Sequence, residues 1–431
     1  MIRTPLMFMA LCTSMIACGS SNDVVAAISQ LDGNTVYGTI LAAFGGNCNQ
    51  LPPQWDTWPM AFHDSSHTGT STDVVTPPLT VLWTWKDNYQ FDLQKGAASP
   101  GLNLPIAFQD KLCFQGGLNS NRLFCLHQLD RSPAWEADNS GYTNSGIVYQ
   151  FYNYPVMVGG RVIFGSVDYT TTVNAADGGG FLNLYNTNGG WPSGGLTGWS
   201  GHAYQQFVET DDGTEDFILY QAPVDLTGES RLHSGKTNNY DPRIPAVDPT
   251  IQTAYVNIGG QLMAFDANSF TNLWSWGVST NGASPAAANG VVYFYANGPG
   301  TMNALMNGKV LWSTPLQNAL SPIVSNGTLY VGSQDGNFYA LNAANGAVLW
   351  KFHTAAPFTA LQIPAISGPL IYVPAADGKI YVLNTSDGSL VNAFAGTTVW
   401  GPVIIANGLV FSSDATGTVY AFKPFSASMG K

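Results

Sequence analysis

Residues 326–352 read NGTLYVGSQDGNFYALNAANGAVLWKF, and the fold follows from them. Three runs rich in β-branched and aromatic residues, 328–332, 337–341 and 347–352, are separated by the turn signals Gln334-Asp335-Gly336 and Ala343-Ala344-Asn345-Gly346. Upstream, Ser321-Pro322-Ile323-Val324 ends at Asn326-Gly327, a strong short signal for a tight hairpin, so a fourth strand precedes the three. Four antiparallel strands of this size make one propeller blade.

One blade cannot bury both of its faces, so similar neighbours are required at a fixed period. Downstream, Ile363-Pro364-Ala365-Ile366, Leu370-Ile371-Tyr372-Val373, Asp377-Gly378, 379–383 and Asp387-Gly388 repeat the pattern. Gly401-Pro402-Val403-Ile404, Asn407-Gly408 and 417–422 repeat it again without a final strand. Upstream, Ser284-Pro285-Ala286 leads through Asn289-Gly290 to Leu311-Trp312, and Ile244-Pro245-Ala246-Val247 leads to Leu273-Trp274. The prolines at 245, 285, 322, 364 and 402 lie 37 to 42 residues apart, and Trp274, Trp312 and Trp350 are each 38 apart.

The unit spanning 329–350 resembles the pyrroloquinoline-quinone (PQQ)-type propeller repeat of the quinoprotein dehydrogenases and of the outer-membrane assembly lipoprotein that shares their fold. The resemblance is strong over 243–423 and weaker over 80–242. It is specific for fold and poor for function, because a repeat of this kind hosts more than one activity. The implied fold is all-β, a single β-propeller of four-stranded blades. Blade starts near 105, 155, 202 and 245 favour eight blades; treating 191–240 as an insertion gives seven. Leu79-Thr80-Val81-Leu82-Trp83-Thr84-Trp85 looks like an outer strand with no inner strands before it, and the last repeat lacks one. Pairing the two closes the ring and removes open sheet edges. In this repeat Trp83, Trp135, Trp274, Trp312 and Trp350 are expected to pack between adjacent blades, and each Asp-Gly to make a turn.

The chain opens with one cation, Arg3, and an apolar run over 6–17 too short for a permanent membrane span, which reads as an export signal over 1–17. Met15-Ile16-Ala17-Cys18-Gly19 resembles a bacterial lipobox with Cys18 as the lipidated residue; the alternative is ordinary cleavage without lipid. Residues 18–57 have no repeat character and read as a tether or arm, and the propeller occupies 79–431. Between them, Trp58-Pro59-Met60-Ala61-Phe62-His63-Asp64-Ser65-Ser66-His67-Thr68-Gly69-Thr70-Ser71 resembles the segment that leads into this kind of propeller, here 58–78. His63 and His67 would face one metal on a helix, but Ser, Thr and Gly around them make poor helix and no third ligand is near, so a structural role is expected.

Of 431 residues only 10% are charged, and the net charge is −12. No basic patch is present to neutralise phosphates, which argues against nucleic acid and against direct binding to an anionic membrane. Cys113 and Cys125 stand in two strand-like runs around 116–121, in an exported chain. Paired, they would add about 2–3 kcal/mol; the alternative is two buried thiols, and Cys48 is left over.

Little in the sequence carries catalytic chemistry. Haem, zinc and nucleophile-elbow motifs are absent, and Ser234-Gly235-Lys236-Thr237 imitates a phosphate loop whose earlier glycine is Ser230. Glu209, Asp211, Asp212, Glu215 and Asp216 have enough oxygens for calcium, with Asp211, Asp212 and Glu215 as its ligands, although a solvated hairpin turn explains them more simply. The resemblance to quinoprotein dehydrogenases implies paired adjacent cysteines and funnel acids. No two cysteines here are adjacent, and the inner-strand starts Pro285-Ala286, Pro322-Ile323, Pro364-Ala365 and Pro402-Val403 are apolar. No catalytic residue is carried over, and no cofactor is expected, with PQQ and calcium as alternatives. The expectation is a binding or scaffolding propeller, monomeric, tethered by lipid at the cell envelope and most plausibly at the outer membrane. Its partner would be a protein or a glycan, held through the atypical stretches 168–180 and 191–240. The alternative is a quinone- or metal-dependent oxidoreductase with a divergent site.

Overall fold

The computed structural model describes residues 57–425 except 87–104, 117–121, 139–153, 166–168, 186–190, 212–213, 224–229, 237–243, 259, 278–282, 360–361 and 396–399. All of them belong to the unit Trp55–Lys431. Every named element among them is a β-strand, and the strands form eight sheets, each an antiparallel meander of four. In chain order the sheets span 106–138, 156–185, 191–236, 246–277, 286–315, 323–353, 365–395 and 400–424. The seventh gains a short parallel strand, Thr70–Ser71, beside its innermost strand Ala365–Ser367. The eighth has three strands of its own, and its outermost is Leu79–Lys86, antiparallel to Thr418–Pro424 with Leu79 opposite Pro424 and Lys86 opposite Thr418.

Local chemistry explains the repeated hairpins. Asn326-Gly327 turns with φ of 47° and 74°, and Asn289-Gly290 and Asn407-Gly408 do the same at 53° and 81°, 55° and 72°. Two successive positive φ angles define the turn whose twist matches antiparallel strands, and Asn and Gly tolerate them best. The innermost strands are very short, three residues in Ile323–Ser325, Ala286–Ala288 and Ala365–Ser367. Inner strands of the first to sixth sheets adjoin in sequence, Ala365–Ser367 of the seventh adjoins Trp400–Ala406 of the eighth, and Ile106–Phe108 of the first adjoins that same strand.

The core lies between sheets. Tyr204 of the third sheet packs with Val247, Ala254 and Phe265 of the fourth and donates its hydroxyl to the Ala267 carbonyl at 2.7 Å. Outer-strand tryptophans tie the first, fourth, fifth, sixth and eighth sheets to their neighbours. Trp312 Nε1 donates to the Ala343 carbonyl at 2.9 Å, Trp350 to Thr385 at 3.0 Å, Trp135 to Ala175 at 3.2 Å, and Trp83 to Gln128 at 2.7 Å. Trp274 lies over Gly308 of the fifth sheet, where an added Cβ would stand 3.4 Å from its ring.

Two sequence expectations need correction. The stretch 168–180, expected as a loop, is a turn only over 175–180: Tyr169–Asn174 is the third strand of the second sheet, with Thr171 and Thr172 fully buried. Its threonines broke the apolar pattern while keeping the β-branched shape that suits a strand. In 191–240 the sequence reads as a hairpin over 202–209 and 215–221 with loop-like flanks, yet the flanks too are strands: the described residues form Trp191–Trp199, His202–Asp211, Thr214–Pro223 and Ser230–Lys236. The hairpin itself extends to Asp211 and Thr214, because its polar tip residues still pair.

Candidate functional site

The centre of the sheet assembly is built by residues that belong to no sheet repeat. Each innermost strand turns a backbone edge inward, and amides buried there need acceptors. The segment 58–75 supplies them. Carbonyls of Trp58, Pro59, Ser65, Ser66, His67 and Gly69 accept from the amides of Ala107, Met157, Val247, Ala287, Val324 and Ile366, at 2.6–3.1 Å. These six amides come from the first, second, fourth, fifth, sixth and seventh sheets. The same segment reaches the eighth through Asp73 Oδ2, which accepts from Gly408 N at 2.6 Å.

The segment makes this circuit because Asp64 folds it tightly. Asp64 Oδ1 accepts from the Ser66 and Thr68 amides at 3.0 and 3.1 Å, and Oδ2 accepts from the Thr68 hydroxyl and from His63 Nδ1. Burial pushes this carboxyl up, but His63 and Thr68 outweigh it and hold the group below the usual carboxylate range. His63 and His67 both adopt positive φ, 79° and 64°, around that turn. His67 is buried, stacks on Phe62 at 4.3 Å, and Nδ1 donates to the Pro285 carbonyl at 2.5 Å. That donation leaves Nε2 without a proton, and Nε2 has no partner. Burial pushes the imidazole down to about 4, with the Pro285 carbonyl and Asp64 opposing.

At the turns joining second and third strands, Tyr339, Tyr381 and Tyr420 donate their hydroxyls to Asp335, Asp377 and Asp414 at 2.6, 2.5 and 2.8 Å. Burial and the neighbouring Asp335 carboxylate push Tyr339 up to about 12. These pairs brace the Asp335-Gly336 and Asp377-Gly378 turns and the turn at Asp414, and leave the three carboxylates engaged.

Among the sequence-predicted residues, Cys113 and Cys125 face each other across the first sheet and form a disulfide, with Cα atoms 4.1 Å apart. Reducing it, or replacing both by Ala, should lower unfolding stability by about 3 kcal/mol, read by urea titration with and without reductant. Cys18, Cys48 and the signal and tether over 1–56 lie outside the described residues, as does Asp212. Asp211 ends the strand His202–Asp211 and lies opposite Thr214, the first residue of Thr214–Pro223, and Glu215 follows opposite Thr210. Among the described residues, no three His, Cys, Asp or Glu side chains come together as a metal site. No helix among the described residues is long and apolar enough to cross a membrane. The role of 58–75 was not read from its sequence. The available signal was the opposite side of the ledger, many three-residue inner strands with inward amides and no acceptor of their own.

Residues 258–423 match the family described as outer membrane protein assembly factor BamB. Over those residues the chain matches a PQQ-type repeat family, and its fold is that of the propellers it resembles. Among solved structures, this propeller resembles BamB from Moraxella catarrhalis with a TM-score of 0.60 at 14% identity, covering 82% of this chain and 100% of that one. It resembles a quinohemoprotein alcohol dehydrogenase from Comamonas testosteroni at TM-score 0.66 and 11% identity, over 94% and 85% of the two chains. A europium-containing methanol dehydrogenase gives 0.62 and 10%, over 85% and 98%. Comparison with curated protein sequences finds no match. At such identities the propeller fold is what these structures share, and they include both an assembly factor and dehydrogenases.

Proposed function

We propose that this chain is a non-catalytic scaffold, one closed ring of eight blades held at the cell envelope, which binds a protein partner on the face where the inner strands begin. A lipid on Cys18 is the proposed tether, and the match of 258–423 to an envelope assembly family supports the location. The observation that carries the reading is the use of the axis. Where a propeller can receive a small ligand, the chain's own 58–75 is hydrogen-bonded to six inner strands.

The third sheet supplies a surface for the partner. Its second strand, His202–Asp211, has ten residues, whereas its neighbours Arg161–Gly165 and Thr253–Ile258 have five and six. Aligned on their inner strands, it runs four residues beyond the fourth sheet, roughly 14 Å of hairpin at about 3.4 Å per residue. Removing 225–240, the obvious deletion from sequence, would strip the outermost strand Ser230–Lys236 and confuse binding with folding. The cleaner change replaces 208–217 by Asn-Gly and joins the paired Phe207 and Ile218. The shortened protein should melt within a few degrees of the parent and lose partner capture in envelope cross-linking; unchanged capture would refute this surface.

The oxidoreductase alternative is tested separately by melting the whole protein with PQQ and calcium. No shift is expected. A rise equivalent to about 2.7 kcal/mol at a hundredfold excess over the dissociation constant would overturn the scaffold reading.

A further inference from the structure

We propose that His67 makes the axial segment an acid-released clasp, holding the inner strands while its imidazole is neutral and letting go when it takes up a proton. The ring's two nitrogens stand in different surroundings. Nδ1 is committed as a donor to the Pro285 carbonyl, so the next proton must go to Nε2. Nε2 is buried with no partner, and the residue is 1% exposed. A charged N–H there would be cut off from water, and burial outweighs the help of the Pro245 carbonyl and of Asp64.

The surroundings relieve only part of that cost. On its own segment the facing charged or titratable groups are Asp64 and His63. Asp64 already accepts four hydrogen bonds and has no lone pair aimed elsewhere. The fourth and fifth sheets offer only the backbone carbonyls of Pro245 and Pro285, and the sixth meets His67 through the Val324 amide. Phe62 covers one face of the ring. The proton is therefore taken up when 58–75 leaves its place and His67 reaches water, and proton uptake is linked to release.

The sign is fixed by the imidazole. In the closed state it binds a proton only near pH 4, and free in water near 6.5. Closure is therefore fully favoured above pH 6.5, weakens as pH falls toward about 4, and levels off below. That interval corresponds to about a 300-fold loss in the closing equilibrium.

The test is hydrogen exchange by mass spectrometry on the intact protein from pH 7 to 4, corrected for intrinsic rates. Protection at Ala287, Val324 and Ile366 should fall by up to about 300-fold, while the outer ladder of Asn337–Asn342 with Val348–His353 changes much less. His67→Asn should flatten that pH dependence. Equal loss at inner and outer strands, or the same dependence in the variant, overturns the proposal. Should His67→Asn fail to fold, histidine-labelled NMR of the parent decides: His67 must stay protonated at Nδ1 alone down to about pH 5, and a titration near 6.5 refutes the clasp.

Discussion

Removing residues 58–75 from the full chain is expected to abolish cooperative unfolding, although all eight sheets and the strand Leu79–Lys86 remain encoded. Six amides, five of them in the buried residues Ala107, Val247, Ala287, Val324 and Ile366 and one in half-buried Met157, lose their acceptors together. Each buried unpaired amide costs about 1–3 kcal/mol, and a whole domain is stable by only about 5–15 kcal/mol. Val75 N also donates to Ser367 Oγ and Tyr372 donates its hydroxyl to the Val75 carbonyl, so the seventh sheet loses further partners. Denaturant titration followed by tryptophan fluorescence checks this against the intact chain. A deletion variant that still unfolds in one sharp transition, within about 2 kcal/mol of the parent, would show that the segment merely decorates the ring. Adding a synthetic peptide of residues 57–76 should restore part of the lost transition, since the contacts it makes are backbone to backbone.

The second large effect belongs to the joint between sheets. Trp350→Ala should cost about 3–5 kcal/mol, the range for deleting a buried aromatic. The indole is 8% exposed, donates to Thr385 of the seventh sheet, and lies against Gly388, where an added Cβ would meet its Cε3 at 2.5 Å. Gly388→Ala therefore carries two penalties in the parent. One is the positive φ of 70°, worth about 1–3 kcal/mol, and the other is the collision with the ring. In a Trp350→Ala background only the first remains, so a double-mutant cycle by urea titration should show clear coupling between the two positions. Equal costs for Gly388→Ala in both backgrounds would mean that the indole does not rest on that turn. Trp312 stands over Gly346 and Trp135 over Gly178 in the same way, so the result should transfer by one sheet.

Much of this architecture was legible from residues alone. Asn-Gly and Asp-Gly turns mark where strands reverse, and the 38-residue spacing of Trp274, Trp312 and Trp350 marks where one sheet ends against the next. An unaccompanied outer strand at 79–85 and a final repeat lacking one were complementary defects, and Leu79–Lys86 does pair with Thr418–Pro424. The pairing of Cys113 with Cys125 followed from two runs facing each other across a short turn. The second and third sheets were harder to read, because Tyr169–Asn174 and His202–Asp211 fill strand positions with Thr, Gln and acids. Backbone pairing does not require apolar side chains, so alternation of hydropathy underreports such strands.

What the sequence determined by itself is the repeat: its turns, its tryptophan joints, its period and the exchange of one strand between the two ends. Each of these depends on the identity of a side chain within a few residues of a turn. Tertiary structure alone decided what stands at the axis. Segment 58–75 is held there by carbonyls that every residue possesses, meeting amides roughly 50 to 300 residues away in sequence, and backbone groups common to all residues leave no signature in a sequence.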